Sequence, residues 1–258
     1  MKIAVLDTET TGLQKPFIYD IGVIIYDTDK QEVVKSYNAI IEQVWNNRPL
    51  FESAYYAEKR PIYVGLMRSR QAKLTKFGNA MKSIKALLRG VDGCYAFNSK
   101  FDDKAIEFNC QYYGCINPFD TIPMFDIRGY AIKAFGSRQD YVDFCKKHEF
   151  LTETGSISTT AESFYAWLNA DGEYTEHHTA IDDSIIELEI LNKAVNAGLE
   201  YQTEYEISRQ ALHQLSKKLE IYKNRQLIYS DTIKSVLTKK SNDSIKIYLK
   251  AEVEAADK

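Results

Sequence analysis

The sequence predicts an α/β protein built on a mixed sheet, and three observations support this fold class. Apolar runs rich in β-branched residues come first, at residues 2–7, 18–27 and 32–41, and the last two are joined by a short polar turn that is typical of a hairpin. Helical spacing of apolar residues begins later and alternates with short apolar runs. Antiparallel strands followed by alternating helices and strands indicate layers of helices packed on a mixed sheet.

The later elements follow from the same patterns. Apolar residues between positions 66 and 91 recur mostly at intervals of three and four, so this stretch is predicted to be helical. Strands are expected at 93–97 and 122–127, and helices at 101–113, 138–148, 160–168 and 179–197. The stretch 43–59 matches no pattern that we can place.

A change in composition divides the chain into two predicted units. Residues 1–198 form the α/β domain, whereas residues 199–258 are rich in lysine and contain no proline or glycine. Leu212, Leu215 and Leu219 have helical spacing. We therefore expect a C-terminal helical extension or small domain at 199–258.

Composition excludes several classes of protein. The chain has 258 residues, of which 45% are hydrophobic and 27% charged, as is ordinary for a globular protein. No uninterrupted apolar stretch is long enough to span a membrane, and the N-terminus does not resemble a signal peptide, so a cytoplasmic location is expected. The four cysteines form no CxxC pair and have no histidine at zinc-finger spacing, which indicates reduced thiols.

Charge is unevenly distributed along the chain. The net charge is −3, yet residues 59–90 contain nine Lys or Arg and no Asp or Glu. This basic block is either a phosphate-contacting face or the solvated side of a helix.

The first strand ends in two acidic residues, in the stretch LDTETTGL. Asp7 and Glu9 lie two residues apart, so on a strand their side chains point to the same side of the sheet. Two neighbouring carboxylates repel each other, so either one of them is expected to take up a proton or both are expected to bind a cation.

Two later stretches could supply further ligands. Asp102 follows a strand and opens a helix in NSKFDDKAI, where it is either a helix cap or a site residue. In EHHTAIDDSIIELEIL, His178 and Asp183 lie five residues apart at the start of a helix, and His177 and Asp182 have the same spacing.

Taken together in this order, the three motifs resemble the DEDDh family of 3′→5′ exonucleases, which includes the proofreading subunit of bacterial DNA polymerase. Residues 141–150 resemble the family's helix before the last motif, and residues 159–168 are similar to exonucleases of phages and of low-GC Gram-positive bacteria. The resemblance implies a ribonuclease H-like fold and a hydrolase that binds two Mg²⁺ or Mn²⁺. It also implies a bacterial protein, or a phage-encoded protein in the host cytoplasm, and leaves proofreading, repair, recombination and phage replication all open as its process.

The resemblance also implies residue roles. Asp7, Glu9, Asp102 and Asp183 would hold the metal ions, and His178 would be the general base. His178 and Asp183 are preferred over His177 and Asp182 because the family has a small residue two positions after the histidine. The terminal nucleotide would be bound by Thr8, Thr10, Asn98 and Phe101.

Three functions remain open at this point. The preferred one is release of 5′-mononucleotides from single-stranded or frayed DNA 3′ ends, and the first alternative is trimming of RNA 3′ ends. The second alternative is an inactive nucleic-acid-binding or polymerase-associated module. The extension at 199–258 is expected to bind a polymerase or helicase, to bind DNA, to self-associate or to pack on the main domain.

Overall fold

A computed structural model describes residues 1–203 and, as backbone, two later strands. The strands are β1 (Lys2–Thr10), β2 (Ile18–Asp27), β3 (Glu32–Ile41), β4 (Lys73–Thr75), β5 (Gly93–Ala96), β6 (Met124–Asp126), β7 (Val236–Ser241) and β8 (Ser244–Leu249). The α-helices are α1 (Glu42–Trp45), α2 (Arg48–Glu52), α3 (Arg60–Arg68), α4 (Phe77–Leu87), α5 (Lys100–Tyr113), α6 (Ile127–Phe135), α7 (Gln139–Lys147), α8 (Ala161–Leu168) and α9 (Ala180–Asn196). Short 3₁₀ helices lie at Ala57–Lys59 and Pro118–Thr121.

The first six strands form one mixed sheet in the order β4-β3-β2-β1-β5-β6. The pairs β1–β2 and β2–β3 are antiparallel, whereas β3–β4, β1–β5 and β5–β6 are parallel. The predicted mixed α/β sheet is thus confirmed. The carboxyl ends of β1, β5 and β6 meet at one edge, which is where ligands bind in open sheets of this kind.

Helices cover both faces of the sheet, so its central strands are buried on both sides. All ten residues of β2 are buried. Along β1, Ala4 and Leu6 pack in one apolar cluster, and Ile3 and Val5 pack in a second cluster on the opposite face. This two-sided burial explains why β1 and β2 are almost continuously apolar.

The single helix predicted at 66–91 is wrong. The chain turns after α3 at Arg70, whose φ is +61°, then forms the short edge strand β4 and begins α4 at Phe77. Leu74, which fitted the helical spacing, lies in β4 and is 41% exposed. Periodicity alone could not separate these elements, because a three-residue edge strand barely interrupts a pattern of three and four.

Two further elements differ from expectation. Helix α6 follows β6 directly and was not predicted. Residues 236–249 contain an antiparallel pair, β7–β8, where a helical extension was expected. Leu212, Leu215 and Leu219 lie outside the described residues, so the boundary near residue 198 and the helical stripe stay predictions. Within the described part of the chain, no helix is both long and apolar enough to traverse a lipid bilayer.

Candidate active site

A cleft of about 500 Å³ lies at the carboxyl edge of β1 and β5. Strand β1 pairs with β5 only through Ile3–Val5 and then runs on to Thr10, so its last residues extend beyond the neighbouring parallel strand. Side chains of these last residues therefore border a space that the sheet does not fill. Residues from β1, α5, α6, α8, α9 and four connecting segments line the cleft: Asp7, Thr8, Glu9, Tyr56, Phe97, Asn98, Phe101, Asp102, Arg128, Thr159, Thr160, Ala161, Glu176, His178, Asp183 and Glu187.

Asp102 points into the cleft and is 2% exposed. Its Oδ1 accepts a hydrogen bond of 2.8 Å from the hydroxyl of Thr8 on β1. The helix-cap alternative therefore does not describe this side chain, which joins α5 to the end of β1. The turn before α5 contains Asn98 at a φ of +58°, and its backbone N–H donates to Asp126 Oδ1 at 2.9 Å.

Helix α9 brings Asp183 beside the strand-end acids. The helix begins where the N–H of Ala180 donates to Asp20 Oδ2 on β2 at 2.9 Å, and it crosses β2 at Gly22. Gly22 is paired with Asp7 in the sheet. The absence of a side chain at Gly22 lets the helix backbone approach, so Asp183 lies close to β1.

His178, Glu9 and Asp183 each offer a ligand atom, and these atoms lie within 4.8 Å of one another. His177 instead points outward: its side chain is 75% exposed, and its Nδ1 lies 3.8 Å from Asp182 Oδ2. The lining of the cleft therefore contains His178 and Asp183, whereas His177 and Asp182 lie near each other outside that lining.

Burial and mutual repulsion raise the pKa of every acid that we assigned to the cleft. Burial is the larger cause throughout: it raises the pKa of Glu9 to about 8 and that of Asp183 to about 9, with added repulsion from neighbouring carboxylates. The pKa of Asp102 rises to about 7, and that of Asp7 rises well above its ordinary value. Burial, aided by the charge of Lys59, lowers the pKa of His178 to about 4.

The donor set fits a divalent cation. Carboxylate oxygens are the ligands that Mg²⁺ and Mn²⁺ prefer, and a cation would offset the repulsion among these acids. Asp183 Oδ1 is buried and accepts no hydrogen bond from any residue that the structure describes. A buried polar atom without a partner is unusual and is consistent with an ion as its partner.

Of the residues proposed from sequence, eight line the cleft: Asp7, Thr8, Glu9, Asn98, Phe101, Asp102, His178 and Asp183. Thr10 is placed differently. It follows Glu9 on β1, and its hydroxyl donates to the carbonyl oxygen of Gly12 at 3.4 Å.

Several residues of the cleft were missed. Glu187 is 4% exposed and accepts from the N–H of Phe97 at 3.3 Å. It lies four residues after Asp183 on α9, so helical spacing could have found it. Glu176 lies 3.6 Å from Nδ1 of His178. Arg128 is the one Lys or Arg in the lining, and its guanidinium donates to Thr159 Oγ1 at 2.7 Å. No sequence pattern pointed to Arg128 or Glu176.

The fold is similar to that of the nuclease domains of DEDDh 3′ exonucleases, so the expected ribonuclease H-like architecture is confirmed. No protein-family model and no curated protein sequence matches the chain.

Three solved structures show the likeness, each at 13% identity. The nuclease domain of 3′hExo, a DEDDh family member bound to rAMP, has a TM-score of 0.54 over 78% of this chain and 94% of that chain. A 3′-exonuclease in 3′-end-specific recognition of a histone mRNA stem-loop also gives 0.54, over 81% and 68%. A full-length 3′-exonuclease gives 0.52, over 81% and 64%.

Proposed function

We propose that this protein is a metal-dependent 3′→5′ exonuclease that releases 5′-mononucleotides from single-stranded or frayed 3′ ends. The observation that carries the proposal is the meeting of Asp7, Glu9, Asp102 and Asp183 with His178 in one cleft, although three separate segments of the chain supply them. A fold shared with DEDDh nuclease domains supports the same reaction.

The acids have a common task in this proposal. Asp7, Glu9, Asp102 and Asp183 hold two divalent ions, Mg²⁺ or Mn²⁺, and Thr8 fixes the orientation of Asp102 through its hydroxyl. Bound divalent ions supply Lewis-acid stabilisation of the charge that develops on the phosphodiester oxygens.

His178 acts as the general base. Its lowered pKa keeps the imidazole neutral at pH 7, which is the form that can accept a proton. A water attacks the last phosphorus, His178 takes a proton from that water, and the bond to the 3′ oxygen of the preceding nucleotide breaks. The phosphate stays on the departing nucleotide, which leaves as a 5′-mononucleotide.

Asn98 and Phe101 lie on the side of the cleft formed by the turn into α5, where they can contact the terminal nucleotide. Arg128 offers the cleft a positive charge, so it is suited to bind a phosphate of the strand. Thr8 and Thr10 would contribute backbone groups beside the same nucleotide.

The proposal is tested with oligonucleotides labelled at the 5′ end, incubated with and without Mn²⁺. We expect a ladder that shortens from the 3′ end and free 5′-mononucleotides as the product. Asp7→Ala should abolish release, and His178→Ala should lower the rate on the order of a hundredfold, as is typical for loss of a general base. Unchanged release by both variants would contradict the mechanism.

RNA is the second candidate substrate. Two structures with this fold are described with RNA components, rAMP in one and a histone mRNA stem-loop in the other. Discrimination depends on how the site meets the 2′-OH, so matched DNA and RNA oligomers should compete in one reaction. Binding to both without any turnover in Mn²⁺ would instead favour the inactive binding module.

The biological setting is a separate proposal. A role in proofreading or phage replication, and a polymerase or helicase partner for residues 199–258, rest on the sequence resemblance and composition alone. Removing residues 204–258 and measuring activity, native mass and DNA binding would test the tail.

A further inference from the structure

The stretch 43–59, which matched no sequence pattern, is anchored to β2 by an aromatic cluster. Trp45 and Phe51 pack edge to face with ring centroids 5.0 Å apart, and Tyr19 on β2 lies 5.2 Å from Phe51 and 5.7 Å from Tyr63. The guanidinium of Arg60 covers Trp45 at 4.0 Å. These aromatic contacts hold the segment from Trp45 to Tyr63 against the sheet, and Tyr56 and Lys59 lie within that segment.

One side chain of this segment contacts the imidazole of His178. The ring of Tyr56 stacks on it, with centroids 3.9 Å apart and planes 15° apart. The ammonium of Lys59 lies 4.8 Å from the centroid of the Tyr56 ring. Glu176 Oε2 lies 3.6 Å from Nδ1 of the imidazole. The plane of the imidazole and one of its edges therefore both have a neighbour.

Two further side chains of the segment contact the backbone around His178. The hydroxyl of Tyr63 donates to the carbonyl oxygen of His178 at 3.0 Å, and Lys59 Nζ donates to that of His177 at 2.8 Å. His178 has a φ of +52°, a left-handed conformation that side-chain-bearing residues seldom adopt. Such a conformation is strained and persists where neighbouring groups enforce it.

We propose that Tyr56, Lys59 and Tyr63 position His178 for proton transfer. The inference rests on the proposed function, since it concerns the general base of that reaction. His178 lies on a loop before α9, outside any helix or strand, so its own segment gives the imidazole little support. Misplacing a reacting group by 1 Å can lower the reaction rate about a hundredfold. The contacts of Tyr56, Lys59 and Tyr63 with this loop should therefore affect catalysis directly.

Tyr56→Leu is the sharpest variant, because it removes the stacked ring and keeps apolar bulk. We expect kcat to fall about tenfold, with KM changed less than about twofold, because a positioned base contributes to the chemical step. Tyr56→Phe keeps the ring and should keep the activity. Tyr112→Leu is the matched control: this exposed tyrosine lies on α5, ten residues beyond Asp102, and its removal should leave kcat unchanged.

The same substitution in a His178→Ala background shows whether Tyr56 acts through the histidine. We expect Tyr56→Leu to lower kcat in the wild-type background and to cause no further fall in the His178→Ala protein. An equal fall in both backgrounds, or no fall in a folded Tyr56→Leu protein, would overturn the inference. A rise in KM in both backgrounds would mean that Tyr56 binds substrate, and would overturn it as well.

An NMR measurement does not depend on activity. The chain has four histidines, so His178→Ala identifies the ring signals of His178. Stacking on Tyr56 should shift the ring protons of His178 upfield, and Tyr56→Leu should remove that shift while Tyr56→Phe retains it. Absence of the upfield shift in the wild-type protein would refute the stacking of Tyr56 on His178, and with it the positioning inference. Should Tyr56→Leu fail to fold, Lys59→Met decides by the same double-variant comparison.

Different results would refute the proposed function and the positioning of His178. If the wild-type protein releases no nucleotide, the proposed function is wrong whatever the NMR spectrum shows. If His178→Ala alone is fully active, the assignment of His178 as the general base is wrong. If His178→Ala is inactive while Tyr56→Leu retains full activity and the upfield shift is absent, only the positioning inference is wrong.

Discussion

Gly22→Ala tests the close approach of α9 to the sheet. A Cβ at this position would lie 2.3 Å from the carbonyl oxygen of Ala180 and 2.5 Å from the backbone nitrogen of Ile181. Ordinary contact begins at 3.4 Å, so the start of α9 would have to retreat by about 1.1 Å. The obstacle is helix backbone, which cannot rotate away as a flexible side chain can.

This displacement has two calculable effects. Overpacking of this kind costs about 1–3 kcal/mol in the free energy of unfolding. Because Asp183 lies on the first turn of α9, a shift near 1 Å should also lower the rate of nucleotide release about a hundredfold. Urea unfolding measures the first effect, and release from a labelled oligonucleotide in Mn²⁺ measures the second.

Gly65→Ala is the matched control. Apart from the helix's own backbone, no atom of the described residues lies within 4 Å of a Cβ added at this exposed position inside α3. The change should therefore stabilise the helix by about 0.5–1 kcal/mol and leave the rate unchanged. A Gly22→Ala protein with wild-type activity would refute the argument that Gly22 sets the position of Asp183.

Three further predictions concern the acids. Burial first and repulsion second raise the pKa of Glu9 to about 8 and that of Asp183 to about 9, so without metal the folded protein binds more protons than the unfolded chain. The melting temperature of the metal-free protein should therefore fall as the pH rises from about 4 to about 9. Mg²⁺ should restore the melting temperature at about pH 8. A flat profile would contradict this. Glu187→Gln should weaken Mn²⁺ binding about tenfold in calorimetry, because a carboxylate beside metal ligands supports them; unchanged affinity would exclude that role. Thr8→Val should lower kcat several-fold by releasing Asp102, whereas Thr8→Ser, which keeps the hydroxyl, should not.

The central strands could be predicted from sequence because their burial leaves a continuous apolar signal. The bounds of β2 and β3 are as expected. The single helix predicted at residues 66–91 was wrong because the edge strand β4 has only three residues and lies within a helical pattern. The segment 42–59 consists of short helices fixed by the contacts of Trp45 and Phe51 with distant residues, and no local pattern records such contacts.

Strand geometry accounts for only part of the proposed acid set, because Asp102 and Asp183 were proposed through the resemblance to the DEDDh motifs. Asp7 and Glu9 follow from the period of two, and the choice of His178 over His177 agrees with their placement. Glu187 was within reach of the helical period and was overlooked. The helical period could not point to Tyr56, since its stacking on His178 joins segments 122 residues apart in the chain.

Anomalous scattering from crystals soaked in Mn²⁺ tests the central claim most directly, since it locates the ions without reference to any assay. We predict two strong peaks in the cleft, within coordination distance of oxygens from Asp7, Glu9, Asp102 and Asp183, and their loss in Asp7→Asn. Peaks found only elsewhere on the surface, or none at all, would contradict the account.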